Sequence, residues 1–124
     1  MAKIFILEDD RDIREVVELI LRLEDYQVVS FENVKNFMNR DLNDIPDLFI
    51  LDIMLPDGSG LEVCNMLRID TIHQHIPIII MSAHASTEQV SAGCRADAFL
   101  QKPFELTHFL DTIVTQINAD SSLS

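Results

Sequence analysis

Basic residues are scarce in this chain: nine Lys and Arg stand against 21 Asp and Glu, a formal charge of −12 over 124 residues. Affinity for a nucleic-acid backbone comes from Lys and Arg neutralising phosphates, so this balance, with no basic cluster in the sequence, argues against nucleic acid as a direct partner. Cysteine is nearly absent. Cys64 and Cys94 show no CxxC or CxxH spacing, which leaves two reduced, buried thiols rather than a metal or redox pair as the expectation. No apolar run approaches the roughly 18 residues a membrane helix needs. The run Lys3, Ile4, Phe5, Ile6, Leu7 is too short for the apolar core of a secretion signal and is followed at once by acids, so a cytoplasmic protein without membrane contact is expected. With only three Gly and four Pro among residues that are 48% hydrophobic, the chain reads as globular. Its length suits one domain that buries a proper core.

What the sequence does contain is organised around Asp52. Four apolar residues, Leu48, Phe49, Ile50 and Leu51, precede it, and Pro56, Asp57 and Gly58 follow, which reads as a buried strand handing a carboxylate to a loop. Burying a lone carboxylate is costly, so such an acid normally has partners or chemistry. The same pattern opens the chain, where Ile4 to Leu7 end in Glu8, Asp9 and Asp10. Asp10 or Asp12 then caps a helix marked by Ile13, Val16, Val17 and Ile20. Gln27 to Phe31 forms a further strand, Val34, Phe37 and Met38 a short helix, and Val63, Cys64 and Leu67 another helix after the loop at Pro56 to Gly60. Pro77 opens the apolar strand Ile78 to Met81, which ends at Ser82. A weak polar helix is expected from Ser86 to Gly93, and a last strand from Ala98 to Leu100 that delivers Lys102. The final helix holds the 3.6-residue period from Leu106 through Ile117, so the domain is expected to span 1–118, with residues 119–124 as a polar tail. Asp57 reads as a turn residue, and the HxH at His73 and His75 as exposed loop histidines.

Strand and helix alternate five times, the signature of a doubly wound α/β domain with a five-stranded parallel sheet. Ligands of such sheets bind at the carboxyl ends of the strands. Those ends carry Glu8, Asp9, Asp52, Ser82 and Lys102. Two like charges about 4 Å apart repel by about 4 kcal/mol at an effective dielectric of 20, so three converging carboxylates need a proton or a cation. A hard divalent ion with oxygen ligands answers this, and Mg²⁺ suits the set best. Asp52 can then act as an attacking carboxylate toward a phosphoryl group, with Ser82 and Lys102 as further contacts.

On these residues the sequence resembles the receiver domain of two-component response regulators over nearly its whole length. The matching features are the Glu8 and Asp9 pair, Asp52 followed by Met54, Leu55, Pro56 and Gly60, Ser82 followed by Ala83, and Lys102, Pro103 and Phe104 before the last helix. The resemblance implies a flavodoxin-like strand order, 2-1-3-4-5, and a cis bond between Lys102 and Pro103. It implies that Asp52 accepts a phosphoryl group from a phosphohistidine of a sensor histidine kinase or a histidine phosphotransfer protein. Glu8, Asp9, Asp52 and the backbone carbonyl of Met54 would hold Mg²⁺, with Ser82 and Lys102 on the phosphoryl group. Ser82 and Phe99 would form a switch that reshapes the face of the fourth helix, last strand and last helix for an unidentified downstream protein. Met54 and His84 would tune the lifetime of the phosphoryl group.

One departure from the family concerns Arg95, which stands where a glycine usually precedes an Ala-Asp pair, here Ala96 and Asp97, and Gly93 is expected to provide a left-handed cap instead. The chain is not expected to be an enzyme beyond its own phosphorylation and dephosphorylation. A Mg²⁺-dependent phosphohydrolase of the haloacid-dehalogenase type wants a second Asp two residues after the nucleophile, where Met54 stands, and the GxSxG elbow of serine hydrolases is missing. A binding module that keeps the fold but works without phosphorylation is the remaining alternative. No output domain is apparent after the last helix, so signalling by direct binding is expected, as a monomer or a weak phosphorylation-linked dimer.

Overall fold

The computed structural model describes residues 1–83 and 93–122, with side chains through residue 118. In chain order its elements are β1 (Lys3–Leu7), α1 (Arg11–Leu23), β2 (Gln27–Phe31), α2 (Val34–Met38), β3 (Leu48–Asp52), the two-residue strands β4 (Met54–Leu55) and β5 (Gly58–Ser59), α3 (Gly60–Ile69), β6 (Ile78–Ser82), β7 (Ala98–Gln101) and a C-terminal helix (Leu106–Ser122). His84 and most of the expected Ser86 to Gly93 helix lie outside the described residues. No helix among the described residues is long and apolar enough to cross a membrane.

Five strands form one parallel sheet in the order β2-β1-β3-β6-β7. Counting the strands of this sheet alone, that is the expected 2-1-3-4-5. Alternation along the strands sorts their side chains onto two faces. Ile4, Ile6, Leu48, Ile50, Ile79, Met81 and Leu100 meet Val17 and Leu21 of α1 and Phe109 and Ile113 of the C-terminal helix. Phe5, Leu7, Phe49, Leu51, Ile78 and Ile80 meet Phe37 of α2 and Val63, Cys64 and Leu67 of α3. Both faces are covered, which is why β3 and β6 are buried at every residue.

Local chemistry sets the element ends. Asp10 caps α1, its carboxylate accepting from the backbone N–H of Asp12 and Ile13 at 2.9 and 3.1 Å. At the other end Asp25 takes a left-handed conformation (φ 66°), and the N–H groups of Asp25 and Tyr26 close back on the carbonyls of Arg22 and Leu21. Asp57 does more than turn the chain: it accepts from the N–H groups of Val34 and Lys35 at 2.8 and 2.9 Å, so it ties the loop after Asp52 to the start of α2. Those two donors hold its carboxyl below the usual carboxylate value. The loop itself is a tight hairpin, with Leu55 paired to Gly58 across Pro56 and Asp57.

Several expectations change. His73 is buried rather than exposed: its Nδ1 lies 2.8 Å from Asp70 Oδ2 and its ring packs near Phe49, while His75 stays exposed, so the HxH pair does not converge. Gly93 has helical backbone and provides no left-handed cap. A Cβ there would come within 2.8 Å of Leu61 Cδ1, the far end of a side chain that can shift. The C-terminal helix runs to Ser122, so the polar stretch from Asn118 starts inside it. That stretch contains no Gly or Pro to break the backbone ladder. Cys64 and Cys94 are free and buried as expected, and burial and mutual contact push the Cys64 thiol up to about 12.

Arg68 is an unexpected core residue. Its guanidinium donates to the carbonyls of Arg95 (2.7 Å), Gln74 (3.2 Å) and Ile76 (2.8 Å) and to Asp97 Oδ2 (2.5 Å). Asp97 Oδ2 also accepts from Ile78 N–H, so one ion pair, buried on its Arg68 side, joins α3 to the starts of β6 and β7.

Candidate functional site

The register of the sheet builds the site. Leu7 pairs with Leu51, so the next residues, Glu8 and Asp52, leave neighbouring strands side by side. By alternation both share the face of Ile6 and Ile50, and Lys102, two residues after Leu100, falls on that face too. Ser82 and Phe99 fall on the other face with Ile80. The sheet therefore presents three charged groups to one side of the strand ends and the hydroxyl to the other. Ser82 and Lys102 are joined directly, the Lys102 N–H donating to the Ser82 carbonyl at 2.9 Å.

One oxygen from each of Glu8, Asp9 and Asp52 lies within 4.8 Å of the others. Glu8 is fully buried, Asp52 is 6% exposed, and Asp9 is at the surface. The Lys102 ammonium bonds Glu8 Oε1 and stands 3.4 Å from Asp52 Oδ2. Burial acts against its charge, but the bond to Glu8 and the nearby carboxylates outweigh that and raise its pKa. With Met54 and Ser82, these groups line an open cavity of about 300 Å³. The Lys102–Pro103 peptide is cis, as expected.

The electrostatics of this cavity are unbalanced. Burial, then the adjacent Asp52 carboxylate, push the Glu8 carboxyl from 4.5 up to about 7 against the opposing pull of Lys102. Glu8 Oε2 is buried without a hydrogen-bond partner. A buried acceptor left unpaired beside two more carboxylates is what a hard cation with oxygen ligands satisfies, so the donor set fits Mg²⁺.

The Glu8 shift has a measurable sign. Between pH 4.5 and about 7 the folded protein holds a proton that the unfolded chain has released. Its contribution is therefore complete below pH 4.5 and is lost as pH rises through about 7, a loss of about 3 kcal/mol at roughly 1.4 kcal/mol per pKa unit. Asp57 and Asp70, held below 3.8, change charge outside this window. Urea unfolding in metal-free buffer at pH 5 and pH 8 is expected to show this decline, and Glu8→Gln to flatten it. Parallel slopes in the two proteins would refute the assignment.

The structure thus gathers Glu8, Asp9, Asp52, Met54, Ser82 and Lys102 in one place. Phe99 stands apart, half-buried against the α2 and α3 side. Sequence reasoning missed Arg14, whose guanidinium reaches the backbone of Glu8 and Asp9.

Comparison with known proteins agrees with this geometry. A family model described as "Response regulator receiver domain" matches residues 4–114. The response regulator ArlR of Staphylococcus saprophyticus is 36% identical over 115 residues, covering 91% of this chain and 51% of its own. The chain thus spans about half the length of the curated relatives it matches. Among solved structures, a CheY-like response regulator receiver domain protein from Methanospirillum hungatei superposes with a TM-score of 0.90 at 25% identity, covering 100% of this chain and 99% of the other. TrrA of Thermotoga maritima, a response regulator solved in complex with Mg(2+)-BeF, gives 0.81 at 27% identity, covering 94% and 99%. With its sheet order, its strand-end acids and these matches, the chain belongs to the response regulator receiver domain family.

Proposed function

We propose that Asp52 accepts a phosphoryl group from a phosphohistidine, on a sensor histidine kinase or a histidine phosphotransfer protein, in a Mg²⁺-dependent reaction. The observation that carries this reading is Asp52 lying between a half-buried cation, Lys102, and two further carboxylates at the carboxyl end of the sheet. An Asp52 carboxylate oxygen bonds to phosphorus as the P–N bond of the donor breaks. The imidazole leaves with the electron pair and takes up a proton, and an acyl phosphate remains on Asp52. Glu8, Asp9, Asp52 and the Met54 carbonyl would hold the metal, which supplies the charge that lets anionic phosphate approach anionic carboxylate. The structure of TrrA with Mg(2+)-BeF supports that choice of ion.

Lys102 then turns its charge from Glu8 and Asp52 to the phosphoryl oxygens, and the Ser82 hydroxyl provides another contact. Each charge-assisted bond is worth about 1.5–3 kcal/mol, so the two together approach the roughly 5.5 kcal/mol that takes a switch from 1:99 to 99:1. Phe99 shares the Ser82 side of the sheet, which supports its place in the switch and a downstream protein reading the adjoining face. The donor meets the domain beside the cavity, where Ile13, Val16 and Val17 of α1 and Pro103 and Phe104 line an apolar groove of about 470 Å³. Met54, exposed at the cavity mouth, and His84 tune the lifetime of the acyl phosphate. The domain catalyses only its own phosphorylation and dephosphorylation and works as a monomer or a weak phosphorylation-linked dimer.

Acetyl phosphate tests this without a cognate kinase. Incubated with Mg²⁺, the protein is expected to gain the mass of one phosphoryl group and to gain nothing with a chelator present. No gain from acetyl phosphate or from a phosphorylated kinase domain would favour a binding module that acts without phosphorylation.

A further inference from the structure

We infer that Arg14 is a positioning residue that fixes the acid-bearing loop between β1 and α1 for metal binding. This rests on the reading of Glu8, Asp9 and Asp52 as Mg²⁺ ligands. Glu8, Asp9 and Asp10 follow the end of β1 at Leu7 and lead into α1 at Arg11. The Arg14 side chain takes the first two carbonyls, and the first main-chain bond of α1 takes the third. Arg14 Nη1 donates to the Glu8 carbonyl at 2.9 Å and to the Asp9 carbonyl at 3.4 Å, and the Arg14 backbone N–H donates to the Asp10 carbonyl at 2.9 Å. The other end of the loop is fixed by the Glu8 N–H on the Phe31 carbonyl at 3.0 Å, and Asp10 is committed to capping α1.

Asp9 depends most on this arrangement. Glu8 is buried and held by Lys102, and Asp52 closes a strand buried along its length, so both are placed without Arg14. Asp9 is exposed, and its carboxylate makes no hydrogen bond or ion pair among the described residues. Its position within 4.8 Å of the other two oxygens follows from its backbone. That backbone is held by Arg14 on both sides, through the carbonyls of residues 8 and 9. Arg14 is half-buried and touches no carboxylate of the cluster, so it acts through the main chain and not as a ligand. Groups that orient metal ligands from behind typically govern 10- to 100-fold in affinity.

The test uses the full chain and three proteins: wild type, Arg14→Gln, which is uncharged and too short to span both carbonyls, and Arg14→Lys, which keeps a cationic donor. Mg²⁺ binding is measured by calorimetry, and the Mg²⁺ dependence of labelling by acetyl phosphate is followed separately. Arg14→Gln is expected to raise the Mg²⁺ dissociation constant and the half-saturating Mg²⁺ concentration about tenfold, leaving the rate at saturating Mg²⁺ within about twofold of wild type. Arg14→Lys is expected to recover most of the affinity. A loss of metal-free stability with an unchanged Mg²⁺ constant would reduce Arg14 to a structural role and overturn the inference. A lower saturating rate without a shift in Mg²⁺ dependence would do the same. If the wild type itself neither binds Mg²⁺ nor takes label, the functional reading falls as well, which separates that failure from a failure of Arg14 alone.

Discussion

Asp52→Asn is expected to remain folded and to lose phosphoryl gain entirely in the acetyl phosphate assay. Asparagine has nearly the shape of aspartate, so it fits the buried carboxyl end of β3. What disappears is the anionic oxygen that forms the bond to phosphorus, and a neutral amide is a poor nucleophile. Lys102 keeps its bond to Glu8, so the substitution leaves no cation without a partner. Circular dichroism and a urea midpoint serve as the folding controls. A variant that is folded and still gains mass would move the acceptor to another residue and remove Asp52 from the proposed function.

Gly60→Ala is expected to cost about 3 kcal/mol or more of folding stability, at the upper end of the usual range for overpacking. A Cβ at this position would stand 2.0 Å from the Asp52 carbonyl oxygen and 2.8 Å from its carbon. Both neighbours are main chain, so no side chain can swing aside. The Gly60 N–H is at the same time bonded to the Ile53 carbonyl at 3.0 Å, which holds the start of α3 against the end of β3. Against a typical total of 5–15 kcal/mol, a loss of this size leaves a marginal protein. Gly58→Ala provides the comparison: there the nearest atom is Val34 Cγ2 at 3.0 Å, a methyl that can yield, and a much smaller loss is expected. Urea unfolding of both variants decides it, and equal losses would show that the approach to Asp52 is not what Gly60 is for.

The strands and the acids at their ends were legible because their signal is local. An apolar run of four residues that stops at Glu8 or Asp52 needs no tertiary information to be read. The register that sets Glu8 beside Asp52 is a relation between segments far apart in the chain, and there the family resemblance supplied what the residue pattern did not. Arg68 shows what local reading overlooks. It lies four residues after Cys64, on the stripe that α3 buries, and an arginine on such a stripe signals acceptors waiting for its guanidinium, here three carbonyls and Asp97. His73 was misplaced for the opposite reason, because a polar loop pattern says nothing of Asp70 turning back to bond the imidazole. Arg14 carries no such signal, since neither charge nor periodicity reveals that a guanidinium bends back onto carbonyls.

The sheet also separates the molecule into two packing problems. Phe49 and Ile50 are adjacent in sequence, yet Phe49 belongs to a cluster with Phe5 and Phe37, and Ile50 to one with Val17 and Ile113. Mutational energies add when sites share no contacts and couple when they do. Exchanges between the two clusters are therefore nearly additive, whereas pairs such as Phe37 and Phe49, with ring centroids 6.0 Å apart, must change together. During divergence each side of the sheet can drift without waiting for the other. The residues that cannot drift this way are those at the strand ends, where the two sides meet at one cavity.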